Sequence, residues 1–183
     1  METSLSETAK GLPGLRGTDH VGFSVPDLDE AVDFFVNVLG CVDLYGVGPV
    51  QSDDDWMHEQ LNVHPRSTFK NRLLRCQFGS NFEVFEYTAP DQNEVQPKNS
   101  DVGAFHLAFY VDDFDVALSY IESEGLTVLG KPVIRTEGPV AGQTWIYFLS
   151  PWGMQFELIS FPHGKGYEKD TPLRQWHAAH PQD

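Results

Sequence analysis

The chain has 183 residues, 40% apolar and 21% charged, an ordinary globular composition that suits one compact domain or two small modules on a shared core. Its 27 acidic and 12 basic residues give a formal net charge of −15, which argues against nucleic acid or an anionic membrane surface as a partner. No apolar run approaches the roughly 18 residues of a membrane span, and the polar N-terminus does not resemble a secretory signal, so a cytoplasmic protein is expected. Two cysteines, Cys41 and Cys76, are too few for a disulfide scaffold and are interpreted as small buried apolar residues.

Composition shifts along the chain predict five segments. A flexible leader is expected over residues 1–16, a first module over 17–88 and a polar linker over 89–101. A second module is expected over 102–161. The remaining residues, 162–183, are rich in Gly, Pro and aromatics and predict an arm that packs on the domain or on a partner subunit.

The first module begins with a strand and a helix. Residues 18–25 alternate with period two and carry His20, which predicts a strand. Residues 27–39 start with an N-capping Asp and repeat apolar residues at helical spacing, which predicts a helix. A short strand is expected over 41–45, and residues 46–70 are the least regular part of the module.

The first module ends in a predicted hairpin. Strands are expected over residues 71–78 and 82–87, joined by a Gly-Ser-Asn turn, and the second strand carries Glu83. Within the irregular stretch before them, a short helix is predicted over residues 56–62.

The second module repeats the same order of elements in fewer residues. Its predicted elements are a strand over 106–111, a helix over 113–124, a short strand over 126–130, a loop or irregular strand over 131–142, and hairpin strands over 145–149 and 154–160. The first of these strands begins with His106 and the last carries Glu157. Each module is therefore predicted to be β-α-β-β-β.

The two modules carry the same ionisable residues at the same places. A lone His or Glu in a strand is most often a hydrogen-bonded or solvated residue. The pattern occurs twice, however, with His20 and Glu83 in the first copy and His106 and Glu157 in the second. Alternation puts these side chains on the concave side of the sheets, opposite the apolar faces. Two imidazoles and two carboxylates facing one cavity predict a metal site with four protein ligands.

Residues 19–40 and 148–159 resemble segments of the vicinal oxygen chelate superfamily. This superfamily includes glyoxalase I, methylmalonyl-CoA epimerase, extradiol dioxygenases, fosfomycin-resistance enzymes and bleomycin-binding proteins. Residues 19–40 are similar to the opening of one of its modules, and residues 148–159 to its closing hairpin, although Ser150 stands where an Asp is frequent. The resemblance covers residues 17–161 and implies an α+β fold in which two βαβββ modules form a half-open barrel.

The resemblance also implies roles for the four residues. His20 and His106 match the first-strand metal ligands, and Glu83 and Glu157 match the last-strand ligands. A full set of four is like glyoxalase I and the epimerase, which implies a metal-dependent lyase or isomerase that abstracts a proton next to a carbonyl. Glu157 is the first candidate for the general base and Glu83 the second.

The partners of such a site are only partly defined. The ligand set suits a divalent ion, whether Ni, Co, Zn, Mn, Mg or Fe, and no other cofactor is expected. The expected substrate is a small molecule with vicinal oxygens, and a homodimer is expected. Whether one chain or two chains enclose the cavity stays open at this point.

Two other functions remain open. The first is an Fe(II) extradiol dioxygenase that uses His20, His106 and Glu157 as its metal ligands. Its candidate acid–base residues are Tyr87, Tyr110, His163 and His177. The second is a metal-free protein that binds a planar or cationic small molecule against aromatic walls. The candidate wall residues are Phe85, Tyr87, Tyr110 and Trp56. Three basic residues are interpreted as solvated surface charge, namely Lys70, Arg72 and Arg75.

Overall fold

A computed structural model describes residues 11–182 of the chain. Most of the predicted leader, residues 1–10, and the last residue of the predicted arm lie outside the described residues. No helix within residues 11–182 is long and apolar enough to cross a membrane.

The first module forms a four-stranded sheet with the strand order β1-β4-β3-β2. Its strands are β1 (His20–Ser24), β2 (Val42–Val50), β3 (Thr68–Arg75) and β4 (Asn81–Thr88). Strand β1 runs parallel to β4, and the other pairings are antiparallel. Helix α1 (Leu28–Asp33) connects β1 to β2, and helix α2 (Trp56–Leu61) lies between β2 and β3.

The second module repeats this sheet with the order β5-β8-β7-β6. Its strands are β5 (Leu107–Tyr110), β6 (Thr127–Ile134), β7 (Thr144–Leu149) and β8 (Gln155–Ser160), and helix α3 (Phe114–Ser123) connects β5 to β6. Strand β5 again runs parallel to the last strand, β8. The predicted α+β class and the repeated β-α-β-β-β order are confirmed.

The first helix begins where the sequence predicts it. Asp27 accepts hydrogen bonds from the backbone N–H groups of Asp29 and Glu30, both at 2.9 Å, and so satisfies donors that the first turn leaves free. After Asp33 the helix continues as a π-helix over Phe34–Val38. Gly40, at φ +71°, then supplies the left-handed residue that ends the helix.

Strand β2 is longer than the prediction, which placed a strand only over residues 41–45. It continues to Val50 because it pairs with β3 through two register shifts. Gly46 and Pro49 interrupt the period-two pattern, but β2 lies at the sheet edge, where both residues are tolerated. A side chain at position 46 would also lie 2.9 Å from the carbonyl oxygen of Asn71, so only glycine fits there. Strand β6 at the other edge is likewise longer than predicted and contains Pro132.

Aromatic side chains join the two modules in one core. Phe35 is fully buried, and its ring lies 5.5 Å from Phe82 of the first module and 5.9 Å from Phe156 of the second. A polar contact supports the same junction, because the Tyr120 hydroxyl donates to the carbonyl oxygen of Val38 at 3.1 Å. The apolar faces of both sheets therefore pack into a common interior, as the alternation pattern predicts.

The C-terminal arm packs on the domain within the chain. His177 lies with its ring 4.2 Å from Tyr110 of β5 and 4.8 Å from Phe161. Trp176 approaches Gly79 in the β3–β4 turn of the first module. The arm thus contacts both modules, which fits its predicted packing role.

Replacing Phe35 by Ala tests whether the two modules depend on this shared core. We expect the free energy of unfolding to fall by about 3–5 kcal/mol, because the change leaves a cavity among five aromatic rings. Phe78→Ala is the control, since Phe78 is 73% exposed, and we expect it to change the free energy of unfolding by less than about 0.5 kcal/mol. Denaturant titration measures both variants, and equal effects would contradict the shared core.

Candidate functional site

The first His–Glu pair lies on the exposed face of the first sheet. His20 begins β1, and in the parallel register Gly22 lies opposite Glu83 of β4. The histidine is therefore two residues before the position opposite the glutamate, and both side chains point to the same face. The His20 Nε2 atom lies 3.2 Å from Glu83 Oε2.

The second pair has the same geometry. His106 directly precedes β5, and Ala108 lies opposite Glu157 of β8 in the register. His106 Nε2 lies 3.2 Å from Glu157 Oε2, the same distance as in the first pair. The sequence repeat therefore has a structural counterpart, with one His–Glu pair in each sheet.

Neighbouring residues orient the first pair. Asp19 Oδ2 lies 2.8 Å from His20 Nδ1, so Nε2 is the ring nitrogen that faces the glutamate. Asn71 Nδ2 donates to Glu83 Oε1 at 2.8 Å, and its own Oδ1 accepts from the Val47 N–H at 3.1 Å. Sequence reasoning missed Asn71, although its position in β3 puts it on the same face as Glu83.

The linker and β7 orient the second pair. Asn99 Oδ1 lies 3.3 Å from His106 Nδ1, so Nε2 is again the ring nitrogen that faces the glutamate, here Glu157. The His106 ring also lies edge-on to Tyr147 of β7, with 5.1 Å between ring centres. Sequence reasoning missed both partners, and Asn99 carries no local signal because it lies in a polar linker.

The two pairs differ in burial and charge environment. The Glu157 side chain is 10% exposed, whereas that of Glu83 is 28% exposed. Burial raises the pKa of the Glu157 carboxyl, and the neighbouring His106 and Lys165 oppose that rise. The hydrogen bond to Asp19 raises the pKa of His20, against a smaller effect of burial. Both sites therefore hold a carboxylate beside an imidazole, and the second is the drier of the two.

The four predicted ligands are brought together in twos. Within residues 11–182, no hydrogen bond or ion pair connects the first pair to the second. The same residues contain no group of three or more His, Cys, Asp or Glu side chains placed to hold a metal ion. A single centre with four ligands from both modules stays a prediction.

The acid–base residues considered for a dioxygenase are scattered. Tyr110 packs under His177 of the arm, and His163 is exposed. Tyr87 stacks on Phe85 at 5.4 Å, on the same face as Glu83. Burial raises the pKa of both tyrosines.

The predicted aromatic wall forms only in part. Phe85 and Tyr87 stack and are joined by Phe69, which the sequence analysis did not name. Trp56 lies in helix α2 and is 42% exposed. The wall therefore belongs to the first module, and it continues the face that carries the first His–Glu pair.

Two of the three basic residues interpreted as surface charge form ion pairs. Lys70 Nζ lies 3.0 Å from Glu86 Oε2, and Arg72 Nη1 lies 3.6 Å from Asp43 Oδ2. Arg75 is exposed at the end of β3. These contacts are consistent with the interpretation of solvated charge.

Two cavities lie near the sheets, and none of the four predicted ligands lines either of them. One of about 650 Å³ is lined by Ser24 and Tyr87 and by polar residues of the irregular stretch, including His58 and His64. Sequence reasoning did not single out these two histidines, which lie in residues 46–70, the stretch that it described as the least regular part of the module. The other cavity, of about 880 Å³, lies between the modules and the arm and includes Ala108, Tyr110 and Lys165.

Solved structures share this fold. A glyoxalase family protein from Bacillus cereus superposes with a TM-score of 0.63, covering 83% of this chain and 97% of that one at 19% identity. The fosfomycin resistance protein FosX from Listeria monocytogenes gives a TM-score of 0.53, covering 85% and 98% of the two chains at 18% identity. At these identities the likeness concerns the fold alone, and it confirms the predicted glyoxalase-like architecture.

Sequence relatives extend over most of the chain. A protein of Actinomyces sp named 2-epi-5-epi-valiolone epimerase is 45% identical over 169 residues, which cover 91% of each chain. The uncharacterised protein YaeR of Escherichia coli (strain K12) is 25% identical over 146 residues, covering 79% of this chain and 96% of that one.

A family model matches residues 19–148, from just before the first histidine to the middle of the last hairpin. Its description is the glyoxalase/bleomycin resistance protein/dioxygenase superfamily, the group to which the vicinal oxygen chelate proteins belong. The match spans more than half of the chain and agrees with the epimerase relative and with the fold. The chain belongs to this superfamily.

Proposed function

We propose that the chain is a divalent-metal-dependent epimerase that inverts a stereocentre next to the carbonyl of a hydroxylated ketone of the valiolone type. The observation that carries the proposal is the presence of both His–Glu pairs in a chain that is 45% identical, over 91% of its length, to an epimerase. Among the functions that the sequence left open, this relative supports the isomerase type.

The donor atoms of the two pairs suit a divalent ion. In each pair an imidazole Nε2 faces a carboxylate oxygen at 3.2 Å, while the other ring nitrogen is already engaged by Asp19 or Asn99. Metal-binding histidines in proteins are oriented by just such outer partners. When bound, a divalent ion would stabilise the negative charge that develops on the carbonyl oxygen of the substrate.

Epimerisation requires a group that takes a proton from carbon, and Glu157 fits that role better than Glu83. Both oxygens of Glu83 are engaged, Oε1 by Asn71 and Oε2 by His20. Within residues 11–182, only Oε2 of Glu157 has a close partner, which leaves Oε1 to accept the proton. Burial raises the pKa of this carboxyl, and a stronger base abstracts a carbon-bound proton more readily.

Glu83, which lies on the other module, would then act mainly as a ligand of the divalent ion. The two glutamates come from different sheets. We infer that they act on opposite sides of a shared substrate. Such an arrangement suits an inversion, in which Glu157 takes the proton from one face of the carbon and a solvent-derived proton is added to the other face, on the side of Glu83. His20 and His106 would bind the divalent ion beside the two glutamates.

Replacing Glu157 by Gln tests the proton-transfer role. With metal-loaded protein and 2-epi-5-epi-valiolone in D₂O, we expect deuterium incorporation to slow by about 100-fold or more, because the amide cannot accept the proton. NMR of the substrate measures the exchange, and Glu122→Gln on the exposed surface of α3 should exchange at the wild-type rate. Exchange in Glu157→Gln at the wild-type rate would remove Glu157 from the mechanism.

We further propose that the four ligands meet between two copies of the chain. Within residues 11–182, the four predicted ligands form two separate His–Glu pairs, one on each sheet, and no larger cluster. In a two-fold dimer, the first module of one copy faces the second module of its partner, and the reciprocal contact forms a second site. Two complete sites would then form per dimer.

The edge strand β2 offers apolar surface for such pairing. Four of its side chains are between 44% and 57% exposed, namely Val42, Leu44, Tyr45 and Val47. A long edge strand with exposed apolar side chains is unusual in a monomeric protein. The exposure of these apolar side chains supports the predicted homodimer, in which a second copy would cover them.

Mixing two inactive variants tests the shared site. His20→Ala and His106→Ala each disrupt every site in their own homodimers. In a mixed dimer one site lacks both histidines and the other keeps all four ligands. Random pairing makes half of the dimers mixed, so coexpression should restore about a quarter of wild-type epimerase activity.

The matched control coexpresses two single variants, His20→Ala and Glu83→Ala, which both change the first module. Every site in those mixed dimers lacks one ligand, so no activity should return. If His20→Ala and His106→Ala also fail to complement while mixed dimers form, the four ligands belong to one chain.

A further inference from the structure

Lys165 is a half-buried cation near the start of the C-terminal arm. It follows Gly164 at the start of the short 3₁₀ helix Gly166–Lys169, and its backbone N–H donates to Glu168 Oε1 at 2.9 Å. Its ammonium lies 4.2 Å from the centre of the Phe161 ring and donates to Gln175 Oε1 at 3.0 Å. The backbone and the side chain of Lys165 are thus both held in place.

The ammonium retains hydrogen-bonding capacity. It has three N–H donors, and within residues 11–182 Gln175 Oε1 is its one hydrogen-bond acceptor. The face of Phe161 offers a cation–π contact and no lone pair. Burial lowers the pKa of Lys165, while the charges of Glu157 and Glu168 counter this effect. A half-buried ammonium that uses one N–H for Gln175 has further N–H donors to offer an oxygen of a ligand.

The position of Lys165 relates it to the second His–Glu pair. It lines the cavity of about 880 Å³ together with Ala108 and Tyr110 of β5. Ala108 lies opposite Glu157 in the register and shares a face with His106. The Lys165 ammonium also lies over Phe161, which directly follows β8, the strand that carries Glu157.

We propose that Lys165 is a substrate-binding residue that donates a hydrogen bond to an oxygen of the hydroxylated ketone beside Glu157. The proposal rests on the proposed function, since it assigns a residue to the same substrate. Ala108, with its small side chain, lies two residues after His106, and the rings of Tyr110 and His177 form an aromatic wall for the carbon skeleton. The arm, which lies outside the two repeated modules, thereby helps to select the substrate.

A purely structural role for Lys165 makes a different prediction. The contact with Gln175 tethers the last part of the arm, and losing that tether would loosen the arm. Gln175→Ala removes the tether and keeps the ammonium. Lys165→Met removes the ammonium and keeps an apolar side chain over Phe161. These two variants separate the two roles.

Steady-state kinetics with metal-loaded protein and 2-epi-5-epi-valiolone tests the proposal. We expect Lys165→Met to raise KM by about tenfold or more, with kcat within about threefold of wild type, because a charge-assisted hydrogen bond to the bound substrate is lost. Lys169→Met, which removes the same charge from an exposed position of the same short helix, should behave as wild type. Gln175→Ala should change KM by less than about threefold.

Calorimetric titration with the same ketone keeps this result separate from the proposed activity. If the wild-type protein binds the ketone without epimerising it, the proposed function fails, and weaker binding by Lys165→Met still supports the residue assignment. Unchanged KM and unchanged binding in Lys165→Met would overturn the assignment. An equal loss in Gln175→Ala, or no binding of the ketone by wild type, would overturn it as well.

Discussion

Parallel pairing of the first strand with the last strand of each module places a histidine next to a glutamate, and the candidate site depends on this arrangement. In both sheets the residue opposite the glutamate lies two positions after the histidine. The histidine and glutamate side chains therefore share a face. The apolar residues on the opposite faces pack into one core through Phe35 and its neighbours. Burial of that core therefore determines which way the His–Glu pairs point.

The pairs also create an electrostatic need. A carboxylate such as Glu157, 10% exposed, carries a desolvation cost that one imidazole offsets only in part, as the raised pKa of this group indicates. A divalent ion shared by both pairs would satisfy the carboxylates and both Nε2 atoms. The same desolvation makes Glu157 a stronger base. Ligand binding and proton transfer can therefore draw on the same residues.

The sequence predicts the parts of the fold that depend on local patterns. Asp27 caps α1 and Gly40 ends the helix, because capping and left-handed glycine geometry are local properties. The repeated His and Glu were recognisable because two copies stand in one chain. The predicted length of β2 was wrong, because its pairing with β3 continues past the interruptions of the period-two pattern at Gly46 and Pro49.

The rest of the site depends on contacts between residues far apart in the chain. Asn71 reaches Glu83 across the sheet, and Asn99 reaches His106 from a linker without periodicity. Lys165 belongs to an arm that has no counterpart in the first module. No residue pattern specifies how the concave face of one module meets that of the other. That choice is made by the packing of modules and chains.

The most direct test of a shared centre is the coordination of the bound ion. Cobalt(II)-loaded protein can be studied by X-ray absorption spectroscopy together with metal analysis. One ion per chain, with two imidazoles and carboxylate oxygens around it, is the result we predict. Two ions per chain with one imidazole each, or an ion whose surroundings do not change in His106→Ala, would contradict a centre built from both modules.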